Sequence, residues 1–112
     1  MVDSRLPAHL EVAGLIRAVE AAGGFATVVS RGERDAGTIA LLTIERGHPA
    51  RFWERMPQMD GSRPFLCTRS EDVEKQNEFS EYVARRGAQD PDLWIIELDI
   101  PQGERFVAAL QH

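Results

Sequence analysis

Residues 93–100, LWIIELDI, constrain the fold most. Side chains alternate between the two faces of a strand. Here Trp94, Ile96, Leu98 and Ile100 alternate with Leu93, Ile95, Glu97 and Asp99, so both faces of this segment carry apolar groups. Two further β-branched, apolar runs, 25–31 and 38–45, behave the same way. A sheet that is apolar on both faces must be covered twice.

The helices that could cover it are few. Residues 6–22 place Leu10, Val12, Leu15, Ile16 and Val19 on one helical stripe. Pro7 suits the first turn of this helix and Gly23-Gly24 its end. A second helix is predicted from a capping-box spacing at Thr68-Arg-Ser-Glu71 to about Arg86, stopped by Gly87. It starts acidic and ends in Arg85-Arg86, an order that complements the helix dipole. Its stripe is thin: Val73, Phe79, Tyr82 and Val83. A short final helix, 104–110, adds Phe106, Val107 and Leu110 after the break at Pro101-Gln-Gly103.

Strands are also expected at 51–56 and 65–68, after turn signals at RGHP and MDGSRP. The order α-β-β-β-β-α-β-α gives a single α+β domain with a mainly antiparallel sheet of about five strands. Treating 25–31 and 38–45 as a hairpin centred near Arg34 sets Val29 opposite Ile39, Thr27 opposite Leu41 and Phe25 opposite Thr43. A second turn centred at His48 sets Thr43 opposite Trp53, Leu42 opposite Glu54 and Glu45 opposite Arg51. One face then carries Phe25, Val29, Ile39, Leu41 and Trp53; the other carries Ala26, Val28, Ala40, Leu42, Ile44, Phe52 and Met56. One chain offers little helix for two such faces, so a second subunit is expected to cover part of the sheet, most simply in a two-fold homodimer.

The totals limit function. With 112 residues and 43% apolar content the chain can bury a core without metals or disulfides. The one cysteine, Cys67, has no internal partner and fits a reducing cytoplasm; its apolar-flanked strand predicts a core position and not a nucleophile. No run approaches the ~18 apolar residues of a membrane span, and the first ten residues lack a signal-peptide core. A net charge of −5 disfavours nucleic acid and anionic membranes as partners. The basic residues are arginine except for Lys75, which removes most lysine-based chemistry.

Candidate chemistry is sparse. His9, His48 and His112 have no metal-ligand spacing, and Gly23-Gly24 closes a helix where a phosphate loop would open one. No metal or cofactor is expected. RGERDAG, 31–37, is expected to be a solvated turn with glycines at positive φ. Glu54 shares a face with Phe52, Met56 and Leu42, so it needs either an arginine partner or a raised pKa in a pocket. In the second case Glu54, with His48, would be the catalytic candidate. The topology also permits a comparison with restriction-endonuclease-like folds, where Glu45 and Glu54 could hold a metal; the strands lack the usual lysine. Glu45 and Arg51 form the expected cross-strand pair. Trp53 and Trp94 are expected in the core. In DPDLW, Pro91 extends Asp90, and the two aspartates can fix the strand entry by bonding neighbouring N–H groups.

RLPAHLEVAGLIRAVEAAGGFATVVSRGERDAGTIALL, MDG and DPDLWIIELD resemble a small alphaproteobacterial family, domain of unknown function 1491. The resemblance spans nearly the whole chain and is weakest over 65–84. It implies a bacterial, cytoplasmic protein and brings no established activity, cofactor or catalytic residue. The reading that combines these features is a non-enzymatic, dimerising protein-interaction domain with an unknown protein partner. The alternative is a small enzyme using Glu54 as general base, or a nuclease-like metal-dependent hydrolase.

Overall fold

A computed structural model describes residues 6–110; the C-terminal His112, expected to be disordered, lies outside them. The elements are α1 (Ala8–Ala21), β1 (Phe25–Ser30), β2 (Thr38–Glu45), β3 (His48–Arg55), β4 (Phe65–Ser70), α2 (Gln76–Gln89), β5 (Leu93–Asp99) and α3 (Gly103–Ala109). The α+β order is the one the sequence predicts. The five strands form one sheet in the order β1-β5-β2-β3-β4. All neighbours are antiparallel except β2 and β5, which run parallel.

The first expected hairpin does not exist. β5 inserts between β1 and β2, pairing Ala26 with Leu98 on one side and Leu41 with Ile96 on the other. The physical reason is burial: β5 is apolar on both faces, and only an interior strand is covered on both. Cross-strand partners share a face, so Ala26 lies with Leu98, and Phe25 lies on the opposite face beside Asp99. Phe25 therefore shares no face with Ile39, Leu41 and Trp53. The second hairpin does form, with its register moved by two residues: Leu41 faces Trp53, Leu42 faces Phe52 and Ala40 faces Glu54. Gly47, at φ 80°, makes the turn with Arg46, so the reversal precedes His48. A shift of two preserves the faces.

Each face is roofed from within the chain. Ile39, Leu41, Trp53, Trp94, Ile96 and Leu98 pack under Val12, Leu15 and Val19 of α1 and Val107 of α3. On the other side Ala40, Leu42, Phe52 and Ile95 pack under Phe79 and Val83 of α2. Two side chains suffice for α2, because Tyr82 adds an edge-on contact to Phe52 with ring centroids 5.7 Å apart. The expectation that the chain has too little helix for its central strands is thus corrected. What the helices leave uncovered is β1, where Phe25 is 72% and Val29 48% exposed.

Three local expectations are also corrected. Thr68–Ser70 extend β4, pairing Ser70 with Arg51, so there is no capping box. α2 starts at Gln76, and Gly87 lies inside it, where a Cβ would sit 3.0 Å from Ser30 Oγ. That glycine lets the helix descend onto β1. Leu10 is exposed and Ala8 takes its place in the core. The predicted α1 stop holds: Gly23 takes φ 87° and Gly24 N–H donates to Val19 O at 3.0 Å.

The 31–37 segment is an exposed turn, as expected, and it is also a junction. Its glycines 32 and 37 do not adopt positive φ; a Cβ on either would collide with the Asp92 carbonyl. Glu33 N–H donates to Asp92 O at 3.1 Å, and Trp94 Nε1 donates to Glu33 O at 2.8 Å. Ala8 and His9 N–H groups at the start of α1 donate to Asp35 and Arg34 carbonyls. The Ala36 and then the Asp35 N–H groups hold the Glu33 carboxyl below the usual glutamate range. This one loop thereby ties β1, β5 and α1 together.

Candidate functional site

Glu54 lies on β3 beneath α2, where Ala40 and Phe52 bring it to the covered face. Its Oε1 accepts from Arg86 Nη2, and its Oε2 accepts from Thr68 Oγ1 at 2.7 Å. The hydrogen bond to Glu54 raises the Arg86 pKa above the ordinary arginine range, against the opposing effect of burial. Arg86 comes from α2 and Thr68 from the extension of β4, so the carboxylate joins three elements. Glu54→Ala leaves Arg86 without its carboxylate partner in a part-buried setting, with the Tyr82 hydroxyl still beside it. It should cost about 1–2 kcal/mol, read as a lower urea midpoint with an unchanged m-value.

His48 lies elsewhere. It lines a groove of about 490 Å³ between the β2–β3 turn and α3, together with Glu45, Arg51, Gln102, Glu104 and Arg105. The structure therefore does not bring His48 and Glu54 together. His48 Nδ1 is 3.2 Å from the Arg46 carbonyl and 3.8 Å from Glu45 Oε2. Glu45 faces His48 across the turn, so the expected Glu45–Arg51 pair is absent; Arg51 instead donates to Glu104 Oε2 at 2.6 Å. Gln102 adopts φ 56° and accepts from Arg105 Nη1 at 3.2 Å. The charged side chains that line the groove are engaged with one another or with Gln102. Its α3 side could not be placed from sequence, because nothing local links 102–105 to the β2–β3 turn.

Other candidates resolve simply. Trp53 and Trp94 are buried, as expected. Trp53 Nε1 donates to Thr43 Oγ1 at 2.9 Å, which satisfies the one buried polar side chain of β2. Asp90 Oδ1 accepts from Asp92 N–H at 3.1 Å, the expected strand-entry bond. Cys67 is exposed and not in the core, because β4 is an edge strand with only Phe65 buried. Among the described residues no three His, Cys, Asp or Glu side chains come close enough to hold a metal ion. No helix of the described residues is long and apolar enough to cross a membrane.

The surface that sequence reasoning missed is the outer edge of β1. Phe25, Val28 and Val29 are all exposed there, and the strand carries no charged residue. Beside it, a second groove of about 460 Å³ runs between β1 and α2. The missed signal was the length of the 31–37 connection: hairpin loops take 2–5 residues, so β1 had no obligation to pair with β2.

The fold recurs in solved structures. A crystal structure of a DUF1491 family protein from Caulobacter crescentus CB15 matches with 32% identity and a TM-score of 0.70, covering 85% of this chain and 88% of that chain. An NMR structure of a DUF1491 family protein from the same organism matches with 31% identity and a TM-score of 0.69, covering 88% of each chain. The solution structure of a protein from A. tumefaciens matches with 29% identity and a TM-score of 0.65, also covering 88% of each. No curated protein matches. The family model for a protein of unknown function, DUF1491, matches residues 6–108, and the chain belongs to that family.

Proposed function

We propose that this protein is a non-enzymatic, self-associating protein-interaction domain of the bacterial cytoplasm. One observation carries the reading: an uncharged edge strand, β1, holds Phe25, Val28 and Val29 exposed next to an open groove. Edge strands normally avoid this combination, because unpaired N–H and C=O groups beside apolar side chains invite another chain. A net charge of −5 argues against nucleic acid as that partner. An enzyme built on Glu54, whether as general base or as part of a nuclease-like metal site, has less behind it. That carboxylate is already engaged by Arg86 and Thr68, and His48 lies in a different groove.

Sedimentation velocity across the micromolar range tests the reading. It predicts a concentration-dependent shift from one chain to two. A single monomer boundary at every concentration would remove the support for self-association.

A further inference from the structure

We infer that a second copy of the chain occupies the β1 edge, pairing β1 with β1 antiparallel about a two-fold axis at Thr27 to make one ten-stranded sheet. The inference rests on the self-association proposed above and names its surface. An axis normal to the sheet relates positions that share a face. Placed at Thr27, it centres the uncharged run FATVV and sets Ala26 against Val28 of the partner subunit and Phe25 against Val29 of the partner subunit.

Three features make the edge complementary to itself. Phe25, the most exposed of the three large apolar β1 side chains, lies on the α2 face of the sheet. The groove lined by Val29, Ser30, Ser80, Ala84, Gly87 and Ala88 opens on that same face. Ser80, Ala84 and Ala88 recur along one side of α2, and their small side chains leave room for a phenyl ring beside Val29. Each Phe25 thus meets the groove of the other copy, as an isologous contact requires. The third feature is charge. α1 ends with an exposed Glu20 and no basic residue in its last turn. Arg31, whose guanidinium stacks 5.6 Å from the Trp94 ring, lies on the α1 face just beyond β1. The two-fold brings Arg31 of the partner subunit alongside the Gly23-Gly24 end of α1. There a cation complements both Glu20 and the negative helix terminus.

The bulge between Val28 and Ser30 fits this arrangement. It interrupts the β1–β5 ladder between Val28 and Ser30 and bends the strand there, at the end of the proposed pairing. The pairing is consequently short, and the two-fold uses each β1 edge once, which closes this contact at two chains.

The test uses the full chain in a Cys67→Ser background. Thr27→Cys on the axis places its Cβ about 4.5–5.5 Å from its mate, near disulfide reach. Mild oxidation is expected to give a covalent dimer with unchanged far-UV circular dichroism. Phe25→Asp changes an exposed side chain, so the fold should persist while the dimer dissociation constant rises by at least ~30-fold. A dimer that neither cross-links at position 27 nor weakens with Phe25→Asp would overturn this interface and leave self-association standing. A chain that remains monomeric up to millimolar concentration would overturn both.

Discussion

Trp94→Ala is expected to lower stability by about 3–5 kcal/mol, the largest loss from any single side chain of the α1 face. Trp94 is buried among Ile39, Ile96 and the α1 stripe, so truncation leaves a cavity in a close-packed layer. It also removes the indole N–H that donates to Glu33 O at 2.8 Å. That carbonyl belongs to the loop whose Arg34 and Asp35 carbonyls receive the first N–H groups of α1. The loss should therefore extend beyond the cavity. Amide exchange at Ala8 and His9 should accelerate along with global unfolding. Trp94→Phe separates the contributions: it keeps most of the volume and should cost about 1–2 kcal/mol for the missing hydrogen bond. Urea unfolding of both variants gives the comparison. A loss below about 1 kcal/mol for Trp94→Ala would mean that the loop and α1 are held by something else.

Phe52→Ala makes the equivalent test on the opposite face, again with an expected cost of about 3–5 kcal/mol. Phe52 is fully buried on β3 under α2, and it meets Tyr82 edge-on. α2 buries only Phe79 and Val83 of its own, so it depends on this one ring more than α1 depends on any single partner. A 112-residue chain of ordinary stability, about 5–15 kcal/mol, would retain little margin. Loss of far-UV helix signal before the loss of tryptophan fluorescence change would show α2 detaching first. Near-equal costs for Trp94→Ala and Phe52→Ala are what a sheet sealed on both sides by its own chain requires.

The fold class was readable because periodicity and burial are properties of each segment alone. The alternation in residues 93–100 placed Trp94 and Ile95 on opposite faces, and the structure keeps them there. Gly23-Gly24 was legible as a helix end because positive φ is a local demand. Strand order was not legible in the same way. Adjacent strands often pair, and that tendency suggested a β1–β2 hairpin. The seven residues from Arg31 to Gly37 were the contrary sign, together with the rule that the most apolar strand belongs inside. Misplacing β1 put Phe25 on the face of Ile39, Leu41 and Trp53 and hid the surface now proposed to bind. The capping-box spacing at Thr68 failed for a related reason. Backbone pairing of Ser70 with Arg51, followed by the Glu71 N–H to Ala50 O bond of 2.8 Å, satisfies the backbone before a helix can start.

Glu54 illustrates what sequence can and cannot decide. Its apolar neighbours required a partner, and an arginine was the bland choice. Which arginine depended on where α2 begins, and that was misread by about two turns. The groove around His48 depended on α3 folding back against the β2–β3 turn, a contact between residues more than 50 positions apart, as Arg51 and Glu104 are.

Amide hydrogen exchange along residues 25–29, followed by NMR at low and high protein concentration, examines the free edge itself. If β1 is where chains meet, its outward-pointing amides exchange quickly in dilute solution and become protected as concentration rises, while β4 amides do not change. Equal, rapid exchange at both concentrations, in a sample that sediments as a dimer, would mean that another surface joins the chains.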